Sequence, residues 1–165
     1  MIGAEKVRRL SGSAKAAVML AAIGCASTSQ PFAFAKESNS TAFLNRNARE
    51  QGVVVLPGIQ YRILASGSQD GDHPKLSGNL TVHYEGSLPS GEIFDSSFAR
   101  GDPDTFKGRE VIPGWQVALR LMRPGDEWMV YIPAELAYGA KGAGPIPPDS
   151  ALIFRIHLIS AAAEQ

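Results

Sequence analysis

The sequence predicts an α+β fold, an antiparallel β-sheet wrapped around one short α-helix, with a second short helix ahead of it. Three observations carry this reading. Runs with apolar residues at every second position recur along the chain, each closed by a turn rich in Gly or Pro. Those two residues are frequent, at 17 and 11 of 165. One stretch, 113–122, replaces the two-residue period with a helical one: Trp115, Leu119 and Met122 fall at i, i+4 and i+7.

The elements follow in order. Lys36 to Ser40 is a polar linker. Thr41 is placed to cap a short helix over 42–51 that stops at Gly52, a common position for a helix end. Phe43 and Leu44 are its large apolar residues, so it reads as an arm or a lid. Val53 to Leu56 is a β-branched run closed by Pro57-Gly58. Ile59, Tyr61 and Ile63 then alternate with Gln60 and Arg62, which predicts a strand with one buried face. Leu80, Val82 and Tyr84 do the same against Thr81, His83 and Glu85. Leu88-Pro89-Ser90-Gly91 is a hairpin turn leading to Ile93-Phe94. Pro113 is tolerated at the start of the central helix, and Pro124-Gly125-Asp126 ends it. Trp128, Val130 and Ile132 resume the strand period. Pro133 to Ser150 is a long loop, and Leu152, Phe154, Ile156 and Leu158 form the last strand, with Arg155 and His157 on its other face.

Composition narrows the function. The chain carries 16 Lys+Arg and 16 Asp+Glu, is 44% hydrophobic and 19% charged, which is too apolar for a disordered chain. Zero net charge argues against the basic surface that a nucleic-acid partner requires. With one cysteine, Cys25, a zinc module or disulfide scaffold is excluded. His73, His83 and His157 fall in a loop and on two wet strand faces and read as solvated surface residues, so no metal or cofactor is expected. There is no G-x-S-x-G elbow and no GK[ST] phosphate loop. Asn79-Leu80-Thr81 fits a glycosylation pattern and reads as ordinary strand.

Residues 1–35 read as a secretory leader. Lys6, Arg8, Arg9 and Lys15 make a basic start, Ala16 to Ile23 is an apolar run too short to span a bilayer, and Ala33-Phe34-Ala35 supplies an A-x-A cleavage pattern. Ala22-Ile23-Gly24-Cys25 competes with it and resembles the bacterial lipobox, in which the cysteine is lipidated. The mature chain is thus expected to begin at Lys36, or at a lipid-anchored Cys25, and to be periplasmic or secreted. Without the leader, 12 basic and 15 acidic residues remain, a net charge of −3.

Five motifs carry the remaining signal: VHYEG (82–86), GEIFDSS (91–97), EVIPGW (110–115), LAYG (136–139) and IPPDSALIF (146–154). In this order and spacing they resemble the FKBP-type peptidyl-prolyl cis-trans isomerases. The resemblance covers roughly Val53 to Ser160, and VIPGW, LAYG and the helix before GVVVLPGIQY look most like the exported bacterial Mip-type branch. With the leader over 1–35 and the linker and short helix over 36–52, the resemblance implies an isomerase domain over 53–160, followed by a tail over 161–165.

The family implies a half-open sheet curling over a helix, with an apolar pocket between them that accelerates X–Pro isomerisation in exported proteins. By position, Trp115 would be the partly open pocket floor, and Tyr84, Phe94, Val111, Ile112 and Phe154 its walls. The Tyr138 hydroxyl and the Ile112 N–H would bond substrate carbonyls. Asp95 would sit at the rim, paired with Tyr84 and Arg100, although Asp95-Ser96-Ser97 alone reads as a turn. Tyr84, Phe94, Asp95, Trp115, Tyr138 and Phe154 are therefore the catalytic candidates. Arg100, Phe106, Val111, Ile112 and Ile146 are the substrate-binding ones.

The sequence also departs from the family. Two residues before Phe106, where human-type members have a second aromatic, stands Asp104, which implies an open or polar wall. In the loop over the site the first of two isoleucines is Pro145, leaving Ile146. Proline-containing polypeptides are the implied substrates, with the family's macrolide inhibitors as ligands whose affinity these two changes bear on. Mip-type members carry a long N-terminal dimerisation region where this chain has only the helix at 42–51, which predicts a monomer. The alternative function is a non-catalytic module that binds proline peptides as a chaperone or adaptor.

Overall fold

The computed structural model describes residues 38–162. The leader, Cys25 and the mature start at Lys36 lie outside the described residues, as do 163–165. Seven antiparallel strands form one sheet: β1 (Val54–Leu56), β2 (Ile59–Ala65), β3 (Asn79–Ser87), β4 (Ile93–Ser96), β5 (Asp104–Lys107), β6 (Glu127–Ile132) and β7 (Leu152–Ala162). Their order is β1-β2-β6-β7-β3-β4, and β5 shares the outer edge of β3 with β4. Three α-helices accompany them: α1 (Asn39–Asn47), α2 (Ser97–Arg100) and α3 (Pro113–Leu119).

The core lies between the sheet and α3. Trp115, Leu119 and Met122 are all buried, as the helical stripe requires, against Leu80, Val82, Val130, Ile132, Phe154, Ile156 and Leu158. Gly114 sets how closely the helix approaches. A Cβ there would sit inside the Ile132 side chain, so any larger residue pushes α3, and Trp115 with it, away from β6.

Three local expectations are corrected. Helix α1 is capped by Ser38, whose Oγ accepts from the Thr41 N–H at 3.1 Å, and it ends at Asn47. It is also docked: Asn47 Nδ2 donates to Gln60 Oε1 at 2.8 Å, Ser40 Oγ accepts from the Ala134 N–H, and Phe43 lies 6.3 Å from Tyr131. An arm held by a buried polar network is part of the domain rather than a lid. Second, Ile63 is 49% exposed, although it stands opposite the buried Trp128 in the last regular β2–β6 pair before the register slips toward Ala65. Third, His83 is half-buried, stacked on Phe98 with ring centroids 4.8 Å apart and hydrogen-bonded to Ser97 Oγ. His73 Nδ1 bonds the Met122 carbonyl.

Candidate functional site

Strand β3 supplies the first wall. Its inward residues include Tyr84, whose backbone is clamped by Ser97: Ser97 Oγ accepts from the Tyr84 N–H at 2.7 Å and donates to the Tyr84 carbonyl at 3.2 Å. Ser97 is wholly buried at the start of α2, a one-turn helix capped by Ser96. Motif GEIFDSS therefore does more than turn the chain, since it locks β3 to β4.

Between Gly86/Asp95 and Ser87/Ile93 the β3–β4 register shifts, leaving Phe94 as the extra residue. Such a bulge re-aims a side chain. Here the Phe94 ring lies across Gly86 and meets Phe154 edge-on at 5.6 Å. A Cβ on Gly86 would stand 2.5 Å from Phe94 and 2.7 Å from Phe154. The bare glycine is what lets the two rings close.

These elements enclose a cavity of about 490 Å³. Of the eleven residues singled out from the sequence, ten line it: Tyr84, Phe94, Asp95, Phe106, Val111, Ile112, Trp115, Tyr138, Ile146 and Phe154. Arg100 does not. It lies behind Asp95, bonding Oδ1 at 2.5 Å through Nη1 and the Tyr84 hydroxyl at 3.3 Å through Nη2. Glu110, Ala143, Gly144 and Pro145 also line the cavity. Glu110 opens the EVIPGW motif, and that was its one visible signal.

Trp115 is 4% exposed, closed in rather than partly open. The rings of Tyr84, Phe106 and Phe154 all meet it nearly perpendicularly, at 5.2, 5.9 and 5.2 Å, a favoured aromatic geometry. Its indole N–H has no hydrogen-bond partner among the described residues. Tyr138 is 41% exposed at the mouth. Asp104 lines no part of the cavity and instead ion-pairs with Arg100.

The rim carries its charge on one network. The Tyr84 hydroxyl donates to Asp95 Oδ2 at 2.5 Å. Burial, then the Asp95 carboxylate, push the Tyr84 hydroxyl up to about 12, so it stays a donor at all ordinary pH. Burial alone would raise Asp95, but the hydrogen bonds from Tyr84 and Arg100 outweigh it and hold the carboxyl below its ordinary range. Contacts to Tyr84, Asp95 and Asp104 raise Arg100 further. Among the described residues the lining includes no serine, cysteine, lysine or histidine, and its ionisable groups are Asp95, Glu110, Tyr84 and Tyr138. What this arrangement can do chemically is to enclose an apolar group and bond its polar neighbours.

A family model described as FKBP-type peptidyl-prolyl cis-trans isomerase matches residues 71–159. "Peptidyl-prolyl cis-trans isomerase Mip" of Coxiella burnetii is 50% identical over 123 residues, covering 73% of this chain and 53% of that protein. "Outer membrane protein MIP" of Legionella longbeachae is 48% identical over 75% of this chain and 53% of its own. The chain thus spans about half the length of these relatives. The crystal structure of FkpA from Escherichia coli superposes with a TM-score of 0.69 at 37% identity, over 73% of this chain and 56% of that one. Five motifs in series, the half-open sheet over α3 and a matching family model across most of the described residues place the chain in the FKBP-type peptidyl-prolyl cis-trans isomerase family.

Proposed function

We propose that the chain catalyses cis–trans isomerisation of X–Pro bonds in polypeptides. The observation that carries this reading is the apolar aromatic cavity over Trp115, walled by Tyr84, Phe106 and Phe154. The uncatalysed reaction crosses a barrier of about 18–20 kcal/mol set by amide resonance. Twisting the C–N bond weakens that resonance and the carbonyl dipole. An apolar cavity that takes the prolyl ring out of water therefore favours the twisted amide over the planar one. No proton transfer or covalent step is required.

In this reading Trp115 supports the ring, and Tyr84, Phe94, Phe106, Val111, Ile146 and Phe154 exclude water. Tyr138 and the Ile112 N–H bond the flanking carbonyls. The Ile112 N–H precedes α3, where such groups have no intrahelical acceptor. Tyr84, Asp95 and Arg100 hold the polar edge in one geometry, so that interactions fitting the twisted form are ready before it appears. Each 1.36 kcal/mol of such preference is about tenfold in rate. Arg100 acts here through Asp95 and Tyr84 rather than on substrate.

The test is a protease-coupled assay on a proline tetrapeptide. Acceleration abolished by a macrolide of the family supports the enzyme; tight peptide binding without acceleration would establish the chaperone or adaptor instead. We also read the chain as exported and monomeric. The basic-apolar-AxA order of residues 1–35 and the name of the Legionella relative support export. Sequencing the N-terminus of protein recovered from cells should give Lys36, or a lipidated Cys25; Met1 there would sink export. Light scattering at micromolar concentration checks the monomer.

A further inference from the structure

Beside the aromatic cavity lies a second, open cleft of about 780 Å³. Lys75, Arg109 and Arg120 line it, with Ser77 and Gln116 as neutral polar groups and no carboxylate. The described part of the chain is acidic overall, with 11 Lys and Arg, these three included, against 13 Asp and Glu over 38–162. All three cations are exposed, and none joins an ion pair among the described residues. They arrive from the loop before β3, the loop between β5 and α3, and the C-cap of α3. Like charges gathered from three separate segments repel one another until an anion joins them.

The cleft shares a wall with the aromatic cavity. Arg109 faces the cleft, whereas Glu110, Val111 and Ile112 line the cavity. Gln116 follows Trp115 in α3 and fastens this wall, donating through Nε2 to the Val111 carbonyl at 2.9 Å and the Arg109 carbonyl at 3.3 Å. A polypeptide leaving the cavity across residues 110–112 would meet the basic cleft next.

We propose that the cleft is an exosite for an acidic stretch of the same polypeptide whose prolyl segment occupies the aromatic cavity. This rests on the prolyl reading of that cavity and names the substrate class more closely: chains with carboxylates a few residues from the proline. A concave cleft suits an extended peptide, whose side chains reach both walls, better than the plane of lipid headgroups. Because the charges are solvent-exposed, their effect is screened by salt, over about 10 Å at 0.1 M and about 3 Å at 1 M.

The test compares proline peptides of equal length, extended on either side with Asp/Glu or with Gly/Ser. Fluorescence anisotropy reads Kd and the coupled assay reads KM. The acidic extension on one side should lower both by about five- to tenfold at low salt, the scale of a few exposed ion pairs. The gain should vanish near 1 M salt and in a Lys75→Ser, Arg109→Ser, Arg120→Ser triple variant, which turns over the unextended tetrapeptide as the parent does. Equal Kd for acidic and neutral extensions would overturn the exosite, as would a gain that survives in the variant. So would cation-dependent binding to phosphatidylglycerol vesicles with no gain from the acidic peptide, which would make the cleft a membrane contact. Anisotropy needs no turnover: a cleft-dependent gain in Kd without acceleration keeps the exosite and removes the isomerase.

Discussion

The guanidinium of Arg100 is ion-paired to Asp104, four residues on, through the same Nη2 that reaches the Tyr84 hydroxyl. Its Nη1 is given to Asp95. The position that is aromatic in human-type members of the family has thus been drawn into the charge network of the rim. Both side chains of the pair are more than a third exposed, so the ion pair adds little stability. Its effect is geometric, because it turns the guanidinium edge toward β5.

Asp104 pairs with Val82 and Phe106 with Leu80 in the β3–β5 register. Both strand partners are buried, so Asp104 and Phe106 share the inward face. Asp104→Phe should restore an aromatic wall and add about one ring face of contact to a macrolide. At about 25 cal/mol per Å² that is roughly 1–2 kcal/mol, or about five- to thirtyfold in Kd by calorimetry. An unchanged Kd would show that position 104 does not limit this affinity.

Trp115→Ala removes a fully enclosed indole and should cost about 3–5 kcal/mol in urea unfolding. Trp115→Leu keeps much of the volume and should fold, with kcat/KM several-fold lower. Since the indole N–H has no partner among the described residues, Trp115→Phe loses no hydrogen bond and should be the mildest of the three. Unchanged turnover in Trp115→Leu would mean that the floor of the prolyl site lies elsewhere.

Gly86→Ala tests the walls. The added methyl meets both Phe94 and Phe154, so one ring must move. Overpacking of this kind costs about 1–3 kcal/mol, and turnover should fall although no catalytic side chain has changed. Thermal unfolding together with the coupled assay reads both effects. Full stability with full activity would remove Gly86 from the design of the site.

Much of this was legible in the sequence. The alternation of Leu80, Val82 and Tyr84 and the stripe of Trp115, Leu119 and Met122 placed the core, because burial on one face leaves a regular period. Motif order placed ten cavity residues. What stayed hidden depends on contacts between distant segments. Strand β5 is too short and too polar at Asp104-Thr105 to show a period. The exposure of Ile63, whose strand partner Trp128 is buried, is recorded by no spacing. Ser97, one serine among several, gains its role only when α2 folds back onto Tyr84. The basic cleft has no sequence signature at all, since its three cations are scattered over 75–120.

The pH profile follows from the rim. With Tyr84 raised to about 12 from 10.0, the folded state holds that proton more tightly. Its stabilisation is fully present below 10 and is lost as pH rises through about 12. Asp95, lowered from 3.8, contributes stability above that value and loses it as pH falls through the lower folded pKa. Neither group changes state in between, so kcat/KM should be flat from about pH 5 to 9. A bell-shaped profile with an apparent pKa between about 6 and 8 would bring proton transfer into the mechanism.

Specificity at the residue before proline should be apolar. In the proposed site this residue would meet Phe94, Ile112, Ile146 and Phe154, while the acids on the lining are Asp95 and Glu110. A leucine there removes apolar area from water at about 25 cal/mol per Å². A glutamate brings its charge toward two carboxylates, one of them held ionised by Tyr84 and Arg100. Both effects act in the same direction. The basic cleft lies beyond Glu110, so it does not relieve a charge placed immediately beside the proline. For tetrapeptides too short to reach that cleft, kcat/KM should be at least about tenfold higher with Leu than with Glu at low salt, which corresponds to about 1.4 kcal/mol. High salt should narrow the gap by restoring part of the glutamate rate without changing that for leucine. Comparable rates at low salt would show that the residue before proline does not face this acidic, aromatic rim.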